Sequence, residues 1–459
     1  MLLKSPWEPY LAAMKAAPSD RLVTALADDI LTGRLGADDR LPPHRDVAFR
    51  LGIGVGTVTK AYTVLERRGL IRSERGRGTF VAALPGTREA VIDLSVNTPP
   101  RLLSERMLGR TLASISRGID PNLFAQYPPD GGHIEHRRQM VQWLAGLGMQ
   151  AKADNVLLCN GAQQALAVAF SVTNQAGGTI FSESQTYPGA ISFARYAGYR
   201  LVGLKVDGEG LRPDVLDEAL QRPRDGQKGA VVYVTPTMHN PTTATMGIGR
   251  RRDIVEVCRK WDALIIEDDV YSLGSTDHPP LAMLAPERTF YANSLSKTVS
   301  PGLRIGSLVV PENFVGRAAI ALSATSSMVS PFSCAVMAEL LVNGVAESVR
   351  TSIGVESSRR LNLARSFLAD RVVFPKYEGF HIWLPMRRQE AESFAIASNA
   401  VGIHVTPPAA TAADPAADDG GIRICVGGPE LSDLKIALEK ISAIIKNSDN
   451  REQPHRSFV

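Results

Sequence analysis

The chain has 459 residues with a formal net charge of only +4 and an ordinary globular balance of 44% hydrophobic and 21% charged residues. At roughly 150 residues per domain this length suggests two to four structural units. The small net charge excludes a polycation, so charge has to be read segment by segment. Apolar runs of about 18 residues are absent, which excludes an ordinary membrane-spanning helix and predicts no membrane partner. The opening MLLKSPWEPYLAAMKAAPSD has prolines and acids where an export signal needs an apolar core, so a cytoplasmic location is expected. Cys159, Cys258, Cys334 and Cys425 form no C-x-x-C pair, which removes zinc and dithiol chemistry and predicts reduced core residues and no metal site.

In chain order, residues 1–17 read as a leader without clear structure. A helix is predicted over roughly 20–32, with Leu22, Leu26 and Ile30 on one face and Gly33 and Gly36 ending it. A second, short helix is predicted after LPPHRD, carrying Val47, Ala48 and Leu51; GIGVG supplies a turn. A third helix over roughly 55–68 is expected to turn Val55, Val58, Tyr62 and Leu65 inward. Its opposite face, Gly56, Thr59, Lys60, Thr63 and Arg67, is small, polar and basic, which suits a DNA major groove. LIRS and GTFVA flank ERGRG, two short strands around a basic wing tip. From Arg40 to Phe80 nine basic residues stand against three acidic ones, a local excess larger than the net charge of the whole chain. Phosphate neutralisation needs such a patch. These features predict a winged helix-turn-helix domain over 1–82 and a linker over 83–92.

From Asp93 to about Ile445 the pattern changes to short β-branched runs alternating with amphipathic stretches, the mark of βαβ units. Predicted strands include NVLLCN (155–160), GGTIFSES (177–184), GAVVYVTP (229–236), ALIIEDD (263–269) and SLVVP (307–311). PPAATAADPAADDGG (407–421) reads as a surface loop, and 446–459 as a polar, frayed tail.

Several motifs in this region carry chemistry. NGAQQAL (160–166) joins a strand to a helix, where free N–H groups of Gly161, Ala162 and Gln163 can bind phosphate. ALIIEDDVY (263–271) is an apolar strand ending in three acids, any of which can sit at the ligand crevice of a doubly wound sheet. NSLSKTVSPGLRIG (293–306) offers an amine on Lys297, hydroxyls on Ser294 and Ser296, and the guanidinium of Arg304. Arg423, in GIRICVGG (421–428), can pair in a two-pronged fork with a carboxylate.

The stretch RLPPHRDVAFRLGIGVGTVTKAYTVLERRGLIRSERGRGTFVA resembles the DNA-binding domain of the GntR family nearly end to end: an arginine in the second helix, T-V-x-x-A-Y-x-x-L-E in the third, and a G-x-G-T-F-V wing. The resemblance implies DNA contacts from Arg45, Thr57, Thr59, Lys60 and the wing residues Arg75, Arg77 and Gly78. The S-L-S-K…P-G-L-R-I-G motif resembles the lysine segment of fold-type-I aminotransferases, which implies pyridoxal 5′-phosphate (PLP) on Lys297. By the same resemblance, Asp268 meets the ring nitrogen, and Tyr271 and Asn240 meet the ring hydroxyl. Asn240 lies in HNPTT, where threonine at 243 replaces the family's glycine. Tyr187 would stack on the ring, Ser294, Ser296 and Arg304 would take the phosphate with 161–163, and Arg423 would hold the acid group of a ligand. QYPPDGGHIEHRRQMVQWL (126–144) resembles the segment whose tyrosine, here Tyr127, reaches the cofactor of the other subunit; His136 stands where leucine is usual.

A winged helix followed by such a domain over 93–445 resembles the MocR subfamily of GntR regulators. The resemblance implies an α/β fold-type-I large domain with a smaller C-terminal α+β subdomain, in a cytoplasmic homodimer arranged head-to-tail on operator DNA. An amine or amino-acid effector would exchange with Lys297 on the cofactor. Two other functions remain open on these residues: a working aminotransferase with an accessory DNA-binding domain, and a repressor whose large domain only dimerises.

Overall fold

The computed structural model describes the whole chain except 1–4, 6, 14–15, 32–33, 37, 75–76, 83–90, 119, 176, 223–228, 274–277, 369–370, 415–416 and 453–459. Its contacts divide it into two units, Met1–Val91 and Ile92–Val459. No single helix among the described residues is long and apolar enough to cross a membrane.

The first unit is a three-helix core with a two-stranded wing. Helix α1 (Pro18–Leu31) buries Leu22, Leu26 and Ile30. Helix α2 (His44–Leu51) starts earlier than its apolar residues suggest. Pro43 holds extended backbone at φ −56°, ψ 145°, and Asp46 in the first turn complements the free N–H groups there. Gly52 ends α2 at φ +62°, a left-handed turn that costs glycine nothing. Helix α3 (Val55–Arg67) buries Val58, Ala61, Tyr62 and Leu65. Val55, expected inside, is 46% exposed: it opens the helix and lies outside the cluster that the other three residues join. Strands β1 (Ile71–Glu74) and β2 (Gly78–Val81) pair antiparallel from Ile71 opposite Val81 to Glu74 opposite Gly78.

The second unit opens with β3 (Ile92–Asp93) and is built on seven strands. These are β4 (Val156–Cys159), β5 (Thr179–Glu183), β6 (Arg200–Leu204), β7 (Ala230–Val234), β8 (Ala263–Asp268), β9 (Thr289–Ser294) and β10 (Gly306–Val309). Their order is β4-β10-β9-β8-β7-β5-β6, and β10 alone runs antiparallel to both neighbours. Apolar side chains cover both faces, as continuous runs such as AVVYV require. This is the α/β architecture expected from the alternating pattern.

A smaller subdomain follows the long helix Val345–Leu368. Strand β11 (His381–Arg387) pairs antiparallel with β13 (Asp419–Cys425), setting Trp383 opposite Arg423; β12 (Ile403–His404) pairs with β3. Two expectations change here. Part of 407–421 is buried: Thr411 donates to Gln185 Oε1 at 3.0 Å and the Ala413 N–H to Ser184 O at 2.9 Å, pinning this stretch beside the end of β5. The final helix, Leu431–Glu452, also runs past the point expected to fray, on a stripe of buried Leu434, Leu438, Ile441 and Ile445.

Gly306 opens β10 against the turn that leaves β4, and a Cβ there would lie 2.6 Å from the Gly161 carbonyl carbon and 2.9 Å from the Ala162 nitrogen. Backbone atoms cannot yield as a side-chain tip can. Gly306→Ala is expected to destabilise by roughly 1–3 kcal/mol, the usual cost of overpacking, seen as a lower thermal midpoint.

Candidate cofactor and ligand site

The C-terminal ends of β5, β7, β8 and β9 converge, as strand ends do at the crevice of a mostly parallel sheet. A cavity of about 130 Å³ lies there, lined by Ala162, Gln163, Tyr187, Asn240, Asp268, Val270, Tyr271, Ser294, Ser296, Lys297, Pro301 and Arg304.

One wall is made for an anion. Helix α4 (Ala162–Thr173) begins immediately after Gly161, whose φ of +80° makes the turn. The first N–H groups of a helix have no partner within it. A Cβ on Gly161 would sit 2.6 Å from Arg304 Nη2, so glycine lets that guanidinium close over the helix start. Arg304 donates to Asn160 O at 3.1 Å and to Ser296 Oγ at 3.4 Å, and pairs with no carboxylate among the described residues. The Ser294 hydroxyl is spent otherwise: it caps the short helix Leu295–Thr298 and donates to Ile305 O at 2.9 Å. The Gln163 side chain donates to Gly189 O at 3.0 Å, bracing the helix Pro188–Tyr196 that Tyr187 precedes.

Among the three acids ending β8, the surroundings decide. Glu267 accepts the N–H groups of Leu281 (3.0 Å) and Ala282 (2.9 Å), with Arg251 at 3.9 Å. Asp269 accepts hydroxyls from Ser272 (2.6 Å) and Tyr291 (2.8 Å). Asp268 lines the cavity; its Oδ2 accepts from Tyr233 at 2.9 Å, while its buried Oδ1 has no partner among the described residues. Burial pushes the Asp268 carboxyl up to about 7. Lys297 is pushed down to about 8, by burial first and then by the cations Arg423 and Arg304, and its amine donates to Asn97 O.

The opposite side is a network. The Tyr271 hydroxyl accepts from Asn97 Nδ2 at 2.9 Å and Asn240 Nδ2 at 3.2 Å, and burial pushes its pKa far above the usual phenol range, keeping it protonated. Asn240 Oδ1 accepts from Arg423 Nη1 at 2.6 Å. The loop that carries Asn240 keeps a glycine-like turn, with Thr243 buried at φ +66°. Arg423 is buried and pairs with no carboxylate among the described residues. Its fork is not open, though: Nη2 donates to Ser95 O at 2.8 Å and Thr406 Oγ1 at 3.0 Å, and among the described residues the buried Nε lacks a partner.

Tyr127 is 83% exposed and does not line this cavity of its own chain. His136 is buried in place of the usual leucine, edge-on to His133 at 5.9 Å. In the first unit Thr59 and Lys60 face outward on α3 with Thr57 half-buried, and Arg45 is exposed on α2. Arg77 pairs with Glu74 at 3.1 Å beside Gly78; Arg75 lies outside the described residues. His44, not singled out by sequence, holds Thr59 Oγ1 at 3.2 Å through Nδ1. Sequence reasoning also missed Ser95, Asn97, Tyr233, His381 and Thr406. None stands in a motif, and Asn97 reaches its partners across 174 to 284 residues of chain.

Fold and site together define a winged-helix protein whose large domain is built like a PLP-dependent aminotransferase. Residues 18–81 match the bacterial regulatory proteins of the gntR family, and residues 89–441 match aminotransferase class I and II. The chain is 27% identical to the HTH-type transcriptional regulator YdeF of Bacillus subtilis, over 94% of this chain and 95% of that one. It is 28% identical to the regulatory protein MocR of Rhizobium meliloti, over 63% and 65% of the two chains. An archaeal alanine:glyoxylate aminotransferase shares the fold, with a TM-score of 0.71 at 23% identity, covering 85% of this chain and 95% of that one. The chain belongs to the aminotransferase class I and II family through its large domain and, with its gntR domain, is a MocR-type transcription regulator that binds operator DNA. PLP is the cofactor of this kind of domain, and the residues fit it: an amine, a buried carboxylate oxygen without a partner among the described residues, and an anion cup.

Asp268, Glu267 (about 7) and Glu183 (about 8) are all raised by burial. A carboxyl raised in the folded state contributes stability below its unfolded pKa and loses it as pH rises through the folded one. Without PLP, these carboxyls are expected to lower the thermal midpoint between about pH 6.5 and 8, since below that range the buried His239 and His381, pushed down to about 3, act in the opposite sense, and Asp268→Asn is expected to make the fall shallower. Scanning calorimetry across that range checks both, and a midpoint that rises with pH would contradict them.

Proposed function

We propose that the chain senses a primary amine or amino acid at the Lys297 cavity and converts its binding into a change of operator affinity. The observation that carries this reading is Asp268 Oδ1, a buried oxygen without a partner among the described residues, in the cavity that Lys297 and Arg304 also line, in a chain with a DNA-binding unit. PLP, when bound, supplies an aldehyde that condenses with primary amines and a ring that withdraws electrons.

The protein's own groups divide the work. Asp268 keeps a proton on the ring nitrogen. The start of α4 with Ser296 and Arg304 holds the phosphate, Tyr187 covers the ring, and Tyr271 with Asn240 hydrogen-bonds the ring hydroxyl. Lys297 is the amine that the effector replaces, and its depressed basicity leaves a useful neutral fraction near pH 8. Arg423 selects effectors with an acidic group. In the DNA unit, Thr57, Thr59 and Lys60 read the groove while Arg45 and the wing residues Arg75, Arg77 and Gly78 hold the backbone. The working form is proposed to be a cytoplasmic head-to-tail homodimer, in which Tyr127 serves the partner's cofactor; its exposure away from its own cavity supports that role.

A ligand shifts operator affinity only through its different affinity for two states, with a coupling of about 1–3 kcal/mol. With PLP, the purified chain is expected to absorb near about 420 nm, and Lys297→Ala to lose that band. In a screen of amines and amino acids by operator binding, the wild type should respond to a subset and Lys297→Ala to none. An effector response that survives in Lys297→Ala rejects the sensing mechanism. Release of a keto acid at enzyme-like turnover would instead favour an aminotransferase. In the other unit, Arg45→Ala is expected to weaken operator binding and lower the slope of log affinity against log salt by about one, as loss of a phosphate contact does; an unchanged slope excludes that contact.

A further inference from the structure

The segment that opens the large unit runs through the ligand site, and its polar groups are committed to residues of that site. Strand β3 is held by β12, and the next residue by two backbone bonds, Leu94 N–H to His404 O at 2.7 Å and Cys425 N–H to Leu94 O at 2.9 Å. The Ser95 carbonyl accepts from Arg423 Nη2 at 2.8 Å and from the Thr406 hydroxyl at 2.9 Å. Thr406 Oγ1 accepts from the same Nη2 at 3.0 Å, so both Nη2 hydrogens are occupied. Two residues on, the Asn97 carbonyl accepts from Lys297 Nζ. Its side-chain nitrogen donates to the Tyr271 hydroxyl and lies 3.0 Å from His381 Nδ1, and its buried Oδ1 has no partner among the described residues. The Tyr271 oxygen therefore receives two N–H donors, from Asn97 and Asn240, and its own proton is left for a third group.

Resting on the reading of Lys297 and Arg423 given above, we propose that Ser95–Asn97 is the sensing segment of the ligand site and that Asn97 is its positioning residue. Asn97 turns the Tyr271 proton toward the cofactor and holds the Lys297 amine. The Ser95 carbonyl occupies the arginine that a ligand's carboxylate needs. Either fork of a guanidinium uses an Nη2 hydrogen, so two-pronged capture of a carboxylate and retention of both Nη2 bonds exclude each other. An amino acid therefore takes an Nη2 hydrogen from Ser95 or Thr406, with the release expected at Ser95, whereas a simple amine leaves both bonds in place. The displaced segment begins at Ile92, the first residue of the large unit.

The test uses the full chain loaded with PLP and two probes, aminooxyacetate and methoxyamine. Both trap carbonyls through an aminooxy nitrogen, and only the first carries a carboxylate. Both should remove the absorbance near about 420 nm. Hydrogen exchange in peptides covering 92–98 is expected to rise several-fold with aminooxyacetate and to stay near its starting value with methoxyamine. Equal responses to the two probes, or none, overturn the sensing role. Asn97→Ala should still bind PLP but move the pH midpoint of that absorbance upward by about one unit, because a weaker Tyr271 donor leaves more negative charge on the ring oxygen. An unmoved midpoint overturns the positioning role. The exchange comparison uses the wild-type chain, so it does not depend on a variant folding. If the band never forms with PLP, the proposed function itself fails, and this inference with it.

Discussion

The large domain encloses a carboxylate oxygen, Asp268 Oδ1, that accepts no hydrogen bond among the described residues. Leaving such an atom buried and unsatisfied costs roughly 1–3 kcal/mol, more when it is charged, so a fold keeps it only where the surroundings over-determine its place. Here they do. Asp268 ends a strand flanked by parallel neighbours on both sides, Tyr233 on the next strand fixes its other oxygen, and the acids before and after it are fully engaged elsewhere. The rest of the site follows from that fixed point. Lys297 follows the adjacent strand β9 by three residues, and the turn from β4 into α4 lies across β10, whose Gly306 lets the two backbones approach.

Legibility in the sequence tracked how local each feature is. Lys297, Ser296 and Arg304 lie within one short motif, because a strand, a cap and a tight turn follow one another along the chain there. The acidic run was visible, yet its three members could not be separated by position alone. Only the partners, two backbone amides for Glu267 and two hydroxyls for Asp269, distinguish them. Tyr233 sits in an unbroken apolar strand, where a residue bonding to a neighbouring strand looks like any other core aromatic. Asn97 and Ser95 were invisible for a different reason: their roles exist only after chain closure brings residues 271, 297, 381 and 423 against them.

The departures within elements have the same origin. The periodic pattern put Val55 on the inward face of α3, but periodicity carries no information about where the packed core stops. The small and polar composition of 407–421 suggested solvent, and Thr411 is nonetheless buried because its hydroxyl and backbone satisfy Gln185 and Thr186. At Thr243 the turn overrides the residue: β-branched side chains avoid φ near +66°, and the surrounding loop holds the backbone there without glycine.

Arg423 shows why a residue can be well chosen by sequence and still be incompletely understood. Its lack of any carboxylate partner among the described residues separates it from the many arginines here that form ordinary ion pairs, such as Arg250 with Asp207 and Arg360 with Glu356. Its neutral partners matter as much as that absence. Asn240, Ser95 and Thr406 satisfy the guanidinium without cancelling its charge, so the positive field stays available to an incoming anion while the hydrogens are already placed. Exchanging neutral acceptors for a carboxylate is favourable because charge-assisted bonds are roughly twice as strong as neutral ones, and the released carbonyl of Ser95 must then find a new donor or move toward water. On the proposed reading, selectivity for acids and displacement of the first segment would be two consequences of one exchange at a single side chain.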